Sequence, residues 1–130
     1  MTAFTDFAED LLAKWLFDDV AATRPTAWFV ALHTADPGET GAAGEITGAG
    51  GYARQAATFT ANGNGTTDND ATITFGPATG ADWGTITHVS VWDASTSGNC
   101  LIKGALTASK AVAVGDSLQF AAAALVPQVQ

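Results

Sequence analysis

Two histidines and one cysteine are the residues of this 130-residue chain whose types best suit metal binding or proton transfer. His33 and His88 stand in no motif with the ligand spacing of a metal site, and Cys100 does not complete a zinc set with them. His88 falls in the middle of a predicted strand, where a hydrogen-bonded structural role is the more natural one. The histidines are therefore predicted to be structural, and the sequence predicts no metal site built from them.

A second candidate for cation binding is Asp68-Asn69-Asp70, where alternating carboxylates could supply the oxygen ligands that calcium prefers. The run lacks the glycine and the distal glutamate of an EF-hand. Asx residues in a turn before a strand account for the same pattern, because their side chains bond to nearby main-chain groups. The turn is the preferred interpretation, and calcium binding at Asp68 and Asp70 stays open as the alternative.

Catalytic motifs are missing from the rest of the chain. Every serine lies outside a Gly-x-Ser-x-Gly elbow. The glycine-rich residues 48–51 lack the lysine and the following helix of a phosphate-binding loop. The sequence therefore predicts a non-enzymatic protein that needs no cofactor.

The aromatic residues favour a role in contact. Trp28 and Trp92 lie in apolar strands and are predicted to fill the core. Trp83 stands between Asp82 and a glycine, which predicts an exposed or rim position. Together with Tyr52 it could stack on a sugar or anchor an interface.

Charge and hydropathy exclude several classes of partner. Thirteen acidic and five basic residues give a net charge of −8, and the basic residues form no stripe that could bind nucleic acid or an anionic membrane. Apolar runs fall short of the ~20 residues of a membrane span. The acidic N-terminus does not resemble a secretory signal, so synthesis in the cytoplasm is expected. Cys100, the one cysteine, is predicted to be buried as a small hydrophobe.

The elements that must position these side chains begin with a helix over residues 1–18. Apolar residues recur at three- and four-residue spacing, Thr2 or Thr5 can cap its start, and the helix is expected to stop near Phe17. This amphipathic helix either covers one end of the domain or docks on a neighbouring subunit.

The remainder, residues 27–126, has strand and turn patterns. Residues 81–106 are predicted to form a hairpin, with Ile86, His88, Ser90 and Trp92 on one face of its first strand. A second tight hairpin is predicted around Gly115 and the following aspartate. About seven strands with regular turns predict an all-β fold, an antiparallel, jelly-roll-like β-sandwich with one N-terminal helix, in a single domain over residues 1–130.

Several ordered blocks carry a family resemblance. They are Ala31-Leu-His-Thr-Ala-Asp-Pro-Gly38, Gly50-Gly-Tyr-Ala-Arg-Gln55, Ile73-Thr-Phe75, Asp82-Trp-Gly-Thr-Ile-Thr-His88, Trp92-Asp-Ala94 and Gly104-Ala-Leu106. Together they resemble small virion proteins of tailed phages and prophages, often labelled tail fibre or minor tail proteins, with some head-decoration relatives. The resemblance runs from about residue 27 to the C-terminus.

The resemblance implies a structural virion protein with a β-sandwich core. The leading hypothesis is a capsid decoration or cement protein, because the chain lacks the coiled coil or repeats of a fibre shaft. The alternative is a tail fibre or minor tail protein that binds glycans on the host surface. Expected partners are the major capsid protein or tail proteins, together with further copies of the chain as a trimer. The candidate interaction surface comprises Phe4, Phe7, Leu11, Trp15, Tyr52, Arg54 and Trp83.

Overall fold

The computed structural model describes residues 3–18, 21–47 and 50–126. Within them, antiparallel strands and one helix follow one another along the chain. In order, these elements are β1 (Ala3–Phe4), α1 (Asp6–Phe17), β2 (Trp28–His33), β3 (Gln55–Ala57), β4 (Phe59–Ala61), β5 (Thr67–Asn69), β6 (Ile73–Phe75), β7 (Gly84–Trp92), β8 (Cys100–Val112) and β9 (Leu118–Phe120).

The strands form one large sheet and two ribbons. The large sheet has the order β1-β8-β7-β2-β3, and the ribbons are β4-β5 and β6-β9. One core joins the layers, because apolar residues of the large sheet are buried together with those of ribbon β6-β9. Its members include Val30, Leu32, Val89, Val91 and Ile102 from the sheet and Ile73, Phe75, Leu118 and Phe120 from the ribbon. The predicted antiparallel sandwich with an N-terminal helix is therefore confirmed.

The central hairpin, β7 with β8, is confirmed, but its first strand does not alternate regularly. Its register shifts between Ile86 and His88, where β8 holds extra residues. The ladder is irregular at this point, and the alternation of faces along β7 is not kept through it. Ile86 consequently lies in the main core with Val89 and Val91, and its predicted placement on the face of Ser90 is wrong.

Helix α1 is shorter than the helix expected over residues 1–18, because Ala3–Phe4 pair with β8 as strand β1 and the helix starts only at Asp6. Thr5 is the N-cap, and its side chain accepts a hydrogen bond from the Ala8 main-chain N–H. Asp6 and Glu9 occupy the first turn, where the helix dipole favours negative charge. The helix ends at Phe17, as predicted. The alternative cap, Thr2, lies outside the described residues.

Long-range pairing departs from the sequence prediction in the C-terminal half. The Gly115–Asp116 turn forms, with the Asp116 N–H bonded to the Ala113 carbonyl at 2.9 Å. The strand after this turn, β9, pairs with β6 rather than with β8. The second hairpin is therefore wrong, because a turn signal fixes local geometry and not the partner of the strand that follows it.

Candidate interaction surface

Helix α1 presents large apolar side chains to solvent. None of its twelve residues, all within the described part of the chain, is buried. Trp15 is 70% exposed and Phe17 is 88% exposed, and Phe7 and Leu16 are exposed as well. Isolated exposed hydrophobes are ordinary, but several on one short helix make α1 the candidate interaction surface.

One face of α1 borders an apolar groove. Ala22 and Arg24, which follow the helix in the chain, also line this groove, and the cavity measures about 260 Å³. The groove is lined by Phe4, Ala8, Leu11, Leu12, Trp15, Ala22 and Arg24. Of the predicted surface residues, the structure therefore brings Phe4, Leu11 and Trp15 together here, and Phe7 lies on the same helix.

The base of α1 is fastened to the sheet. The Thr5 hydroxyl donates to the Cys100 carbonyl, and the Thr5 N–H bonds to the Leu101 carbonyl at 3.2 Å. Phe4 belongs to β1, which pairs with β8. The helix thus leaves the sandwich from a fixed point, and its C-terminal turn carries the most exposed aromatic rings.

Tyr52 and Arg54 lie away from this surface, in a polar cluster inside the domain. The Tyr52 hydroxyl donates to Glu45 Oε2 at 2.8 Å and accepts from the Leu32 N–H at 3.2 Å. The Tyr52 ring meets the Trp83 ring edge-on, with centroids 5.6 Å apart. Burial raises the pKa of Tyr52 well above its ordinary value. A hydroxyl held by two partners is poorly placed to bind a sugar.

All three nitrogens of the Arg54 guanidinium donate hydrogen bonds inside the domain. Its Nε and Nη2 donate to the two oxygens of Glu45, each at 2.8 Å, and its Nη1 donates to the Ala94 and Ser97 carbonyls at 3.1 and 2.8 Å. The guanidinium lies 3.8 Å from the centroid of Trp92. Arg54 is therefore a clamp that holds the loop containing Glu45 and the turn between β7 and β8 against Trp92 of the sheet.

The expectation that Trp83 is exposed is wrong. Its side chain is 4% exposed, and the indole N–H donates to the Gly50 carbonyl at 3.0 Å. Asp82, the polar neighbour on which the predicted rim position depended, instead accepts a hydrogen bond from the Val114 N–H at 2.9 Å. The structure thus forms no exposed platform from Trp83 and Tyr52 in the part that it describes. Trp92, by contrast, is buried as predicted.

A buried contact that the sequence did not reveal joins His33 and Ser90. His33 Nε2 lies 2.6 Å from Ser90 Oγ, and His33 Nδ1 lies 2.8 Å from the Ala43 carbonyl oxygen. Since a carbonyl only accepts, Nδ1 carries the proton and Nε2 accepts from the serine hydroxyl. The Trp92 indole N–H donates to the same oxygen at 2.7 Å.

The spacing of His33 and Ser90 is that of a base and a nucleophile. Both side chains are fully buried, however, so a substrate cannot reach them. Burial lowers the pKa of His33, which favours the neutral ring that this hydrogen bond requires. The pair is therefore structural.

Metal-binding groups do not converge within the described residues. No three histidine, cysteine, aspartate or glutamate side chains there are placed to hold one ion. In the suggested calcium segment, Asp70 Oδ1 accepts from the Thr60 hydroxyl at 2.6 Å, and Asn69 is buried. Cys100 is buried as predicted, and burial raises its pKa to about 11.

Comparison with known proteins gives one match that spans nearly the whole chain. The family model described as Podophage GP4 fiber I protein gp80 matches residues 3–128. No curated protein matches the chain. Among the described residues, no helix has the length and apolar character needed to cross a membrane.

Proposed function

This chain belongs to that family of podophage fibre proteins, and we propose that it is a tail-fibre subunit that attaches to a neighbouring virion protein through α1. The family makes it a structural protein of the bacteriophage virion. The exposed aromatic side chains of α1 are the observation that supports attachment at this place.

The match favours the fibre interpretation over capsid decoration. Decoration was the leading hypothesis because the chain lacks a shaft sequence, but the matched family is a fibre family and gives decoration no specific support. A compact domain without a shaft can still belong to a fibre if it caps, joins or terminates one. The glycan-binding role predicted for the same alternative would need a surface other than Trp83 and Tyr52.

The exposed area on α1 is large enough to support attachment. Aromatic side chains bury about 150–250 Å² each, so the exposed parts of Trp15 and Phe17 amount to roughly 300 Å². At about 25 cal/mol per Å², covering them contributes roughly 7 kcal/mol before the costs of association. Asp6, Glu9 and Asp10 surround the start of the helix with negative charge, which favours a partner with basic residues beside its apolar surface.

A complementation experiment tests this attachment. Phage that lack the gene would be grown with the wild-type protein or with the Trp15→Ser/Phe17→Ser double variant, and the protein bound to purified particles would be quantified. We expect the double variant to fold normally and to be lost from particles. Val114→Ser is the matched control, because Val114 is an exposed apolar residue outside α1. Normal incorporation of the double variant would refute attachment through α1.

Self-association as a trimer is part of the same proposal and has a separate test. Light scattering on the purified protein should give three times the 13.2 kDa mass of the chain. If the protein is a monomer and is still incorporated into particles normally, the trimer is refuted, but attachment through α1 is not.

A further inference from the structure

The tip of the β4-β5 hairpin carries two consecutive Asn-Gly pairs. Asn62, Gly63, Asn64 and Gly65 are all exposed, and Gly63 and Gly65 have φ values of +84° and +85°. Asparagine followed by glycine is chemically labile, because glycine has no Cβ to keep its main-chain nitrogen away from the asparagine side chain. Asn-Gly pairs are typical of a tight hairpin turn, and this turn is also a place where the chain can react with itself.

We propose that Asn64 is a site of spontaneous deamidation and that it reacts faster than Asn62. The Gly65 nitrogen attacks Asn64 Cγ and a new C–N bond closes a five-membered imide. The Cγ–Nδ2 bond breaks, and the proton from the Gly65 nitrogen leaves with the amide group as ammonia. Water then opens the imide at either carbonyl, which gives aspartate or isoaspartate and adds one negative charge to the hairpin tip.

Thr66 places two donors on the atom that must take up charge during this attack. Its main-chain N–H and its hydroxyl donate to Asn64 Oδ1 at 3.3 and 2.6 Å. When the Gly65 nitrogen adds to Cγ, negative charge develops on this oxygen. Donors already aimed at a developing oxyanion stabilise it with little reorganisation. Gly65, for its part, has a main-chain N–H that forms no hydrogen bond within the described structure.

Asn62 sits in a more restrained position. Its main-chain N–H bonds to the Thr66 carbonyl at 2.9 Å, next to the last pair of the β4-β5 ladder. Its side chain donates from Nδ2 to the Thr66 hydroxyl at 3.2 Å. The ladder restricts the main-chain rotation that the attack requires, and Oδ1 of Asn62 receives no hydrogen bond among the described residues. The two pairs have the same sequence but different settings.

The remaining two asparagines provide internal controls. Asn69 is buried, its Nδ2 donates to the Ala71 and Ala121 carbonyls at 2.9 Å, and its Oδ1 accepts from the Leu125 N–H at 2.8 Å. Asn99 Nδ2 donates to Asp93 at 3.0 Å, and the residue that follows is a cysteine rather than a glycine. Both should remain intact while Asn64 reacts.

The test follows all four asparagines in the folded protein. Purified protein would be incubated in mildly alkaline buffer at physiological temperature, and peptide mapping by mass spectrometry would quantify amide-to-acid conversion at each site. We expect conversion at Asn64 several-fold faster than at Asn62, with Asn69 and Asn99 unchanged. Equal or faster conversion at Asn62, or conversion at Asn64 no faster than at Asn69, would overturn the proposal.

Substitutions at Thr66 separate the effect of its hydroxyl from the lability of Asn-Gly itself. Thr66→Val keeps the β-branched shape and removes the hydroxyl, so it should slow conversion at Asn64 several-fold. Thr66→Ser keeps the hydroxyl and should restore the wild-type rate. If the valine variant reacts at Asn64 as fast as the wild type or faster, Thr66 does not assist the reaction. Gly65→Ala should slow conversion at Asn64 and leave Asn62 unchanged, and the opposite pattern would contradict the assigned site.

Discussion

Replacing Arg54 with methionine should cost a large part of the stability of this domain. The Arg54 side chain is 8% exposed and that of its partner Glu45 is 17% exposed. Removing one member of a buried ion pair leaves the other charge without compensation, at a cost of about 3–5 kcal/mol. The Ala94 and Ser97 carbonyls lose their donor in the same variant. We expect a loss of about 3–5 kcal/mol from a total that is typically about 5–15 kcal/mol for a domain.

The geometry also predicts how related variants behave. Arg54→Lys keeps the charge but cannot reproduce the two parallel hydrogen bonds to Glu45, so its stability should fall between those of the wild type and Arg54→Met. Glu45→Gln combined with Arg54→Met should cost less than the two single variants added together. Lys14→Met is the matched control, because Lys14 pairs with Asp10 at 2.6 Å on the exposed surface of α1. It should leave the free energy of unfolding almost unchanged, because solvent screens an exposed ion pair.

Chemical denaturation followed by tryptophan fluorescence measures these differences directly. Each variant would be unfolded in urea, and the free energy of unfolding would be compared with that of the wild type at the same pH. A loss of stability for Arg54→Met no greater than that of the Lys14→Met control would refute the account of a buried clamp.

Acid should weaken the same clamp. Burial by itself raises the pKa of Glu45, but hydrogen bonds from Arg54 and Tyr52 outweigh burial and hold the pKa below its ordinary value of 4.5. As pH falls, Glu45 is therefore protonated in the unfolded chain at a higher pH than in the folded chain. The contribution of Glu45 to the free energy of unfolding is full above pH 4.5 and is lost as pH falls through the folded pKa. Arg54→Met should lose this dependence, and an unchanged acid profile would contradict the assignment.

Three further predictions concern Gly41, Cys100 and His33. Gly41→Ala should destabilise the fold by about 2–4 kcal/mol in urea unfolding, because Gly41 has a φ of +76° and a Cβ there would overlap the Cys100 side chain. The control is Gly38→Ala, which has a similar φ of +74° but open space around the added Cβ and should cost only about 1–2 kcal/mol. Equal losses in the two variants would refute the overlap with Cys100. The Cys100 thiol, with its pKa raised by burial to about 11, should resist a thiol reagent near neutral pH until the protein unfolds, and rapid labelling of the native state would contradict its burial. Burial lowers the pKa of His33, so this residue should titrate below pH 6.5 in NMR spectra. Its contribution to the stability of the fold is therefore full above pH 6.5 and declines as pH falls through the folded pKa. A measured pKa above 6.5 would contradict the neutral ring assigned beside Ser90.

Local signals predicted those parts of the fold that local interactions determine. Helix α1 starts after Thr5 and ends at Phe17, because a cap and an apolar stripe act within a few residues. The central hairpin also followed from two apolar runs and the turn between them. Residues near one another in sequence carry enough information to define such elements.

Contacts between distant residues were beyond prediction from this one sequence. His33 and Ser90 are 57 positions apart, and no spacing rule links them. Trp83 has polar neighbours, but its burial depends on Gly50 and Tyr52, which are far away in the chain. The pairing of Arg54 with Glu45 likewise depends on the fold, and no motif in the sequence indicates it.

The position and copy number of the protein on purified virions test the central claim most directly. Immunogold labelling would locate the protein on the particle, and quantitative mass spectrometry would count it against the major capsid protein. A fibre subunit attached through α1 should be found at the tail, in a small number of copies per particle. Labelling over the head, with a copy number comparable to that of the capsid protein, would contradict the fibre role, and absence from the particle would contradict the proposed function altogether.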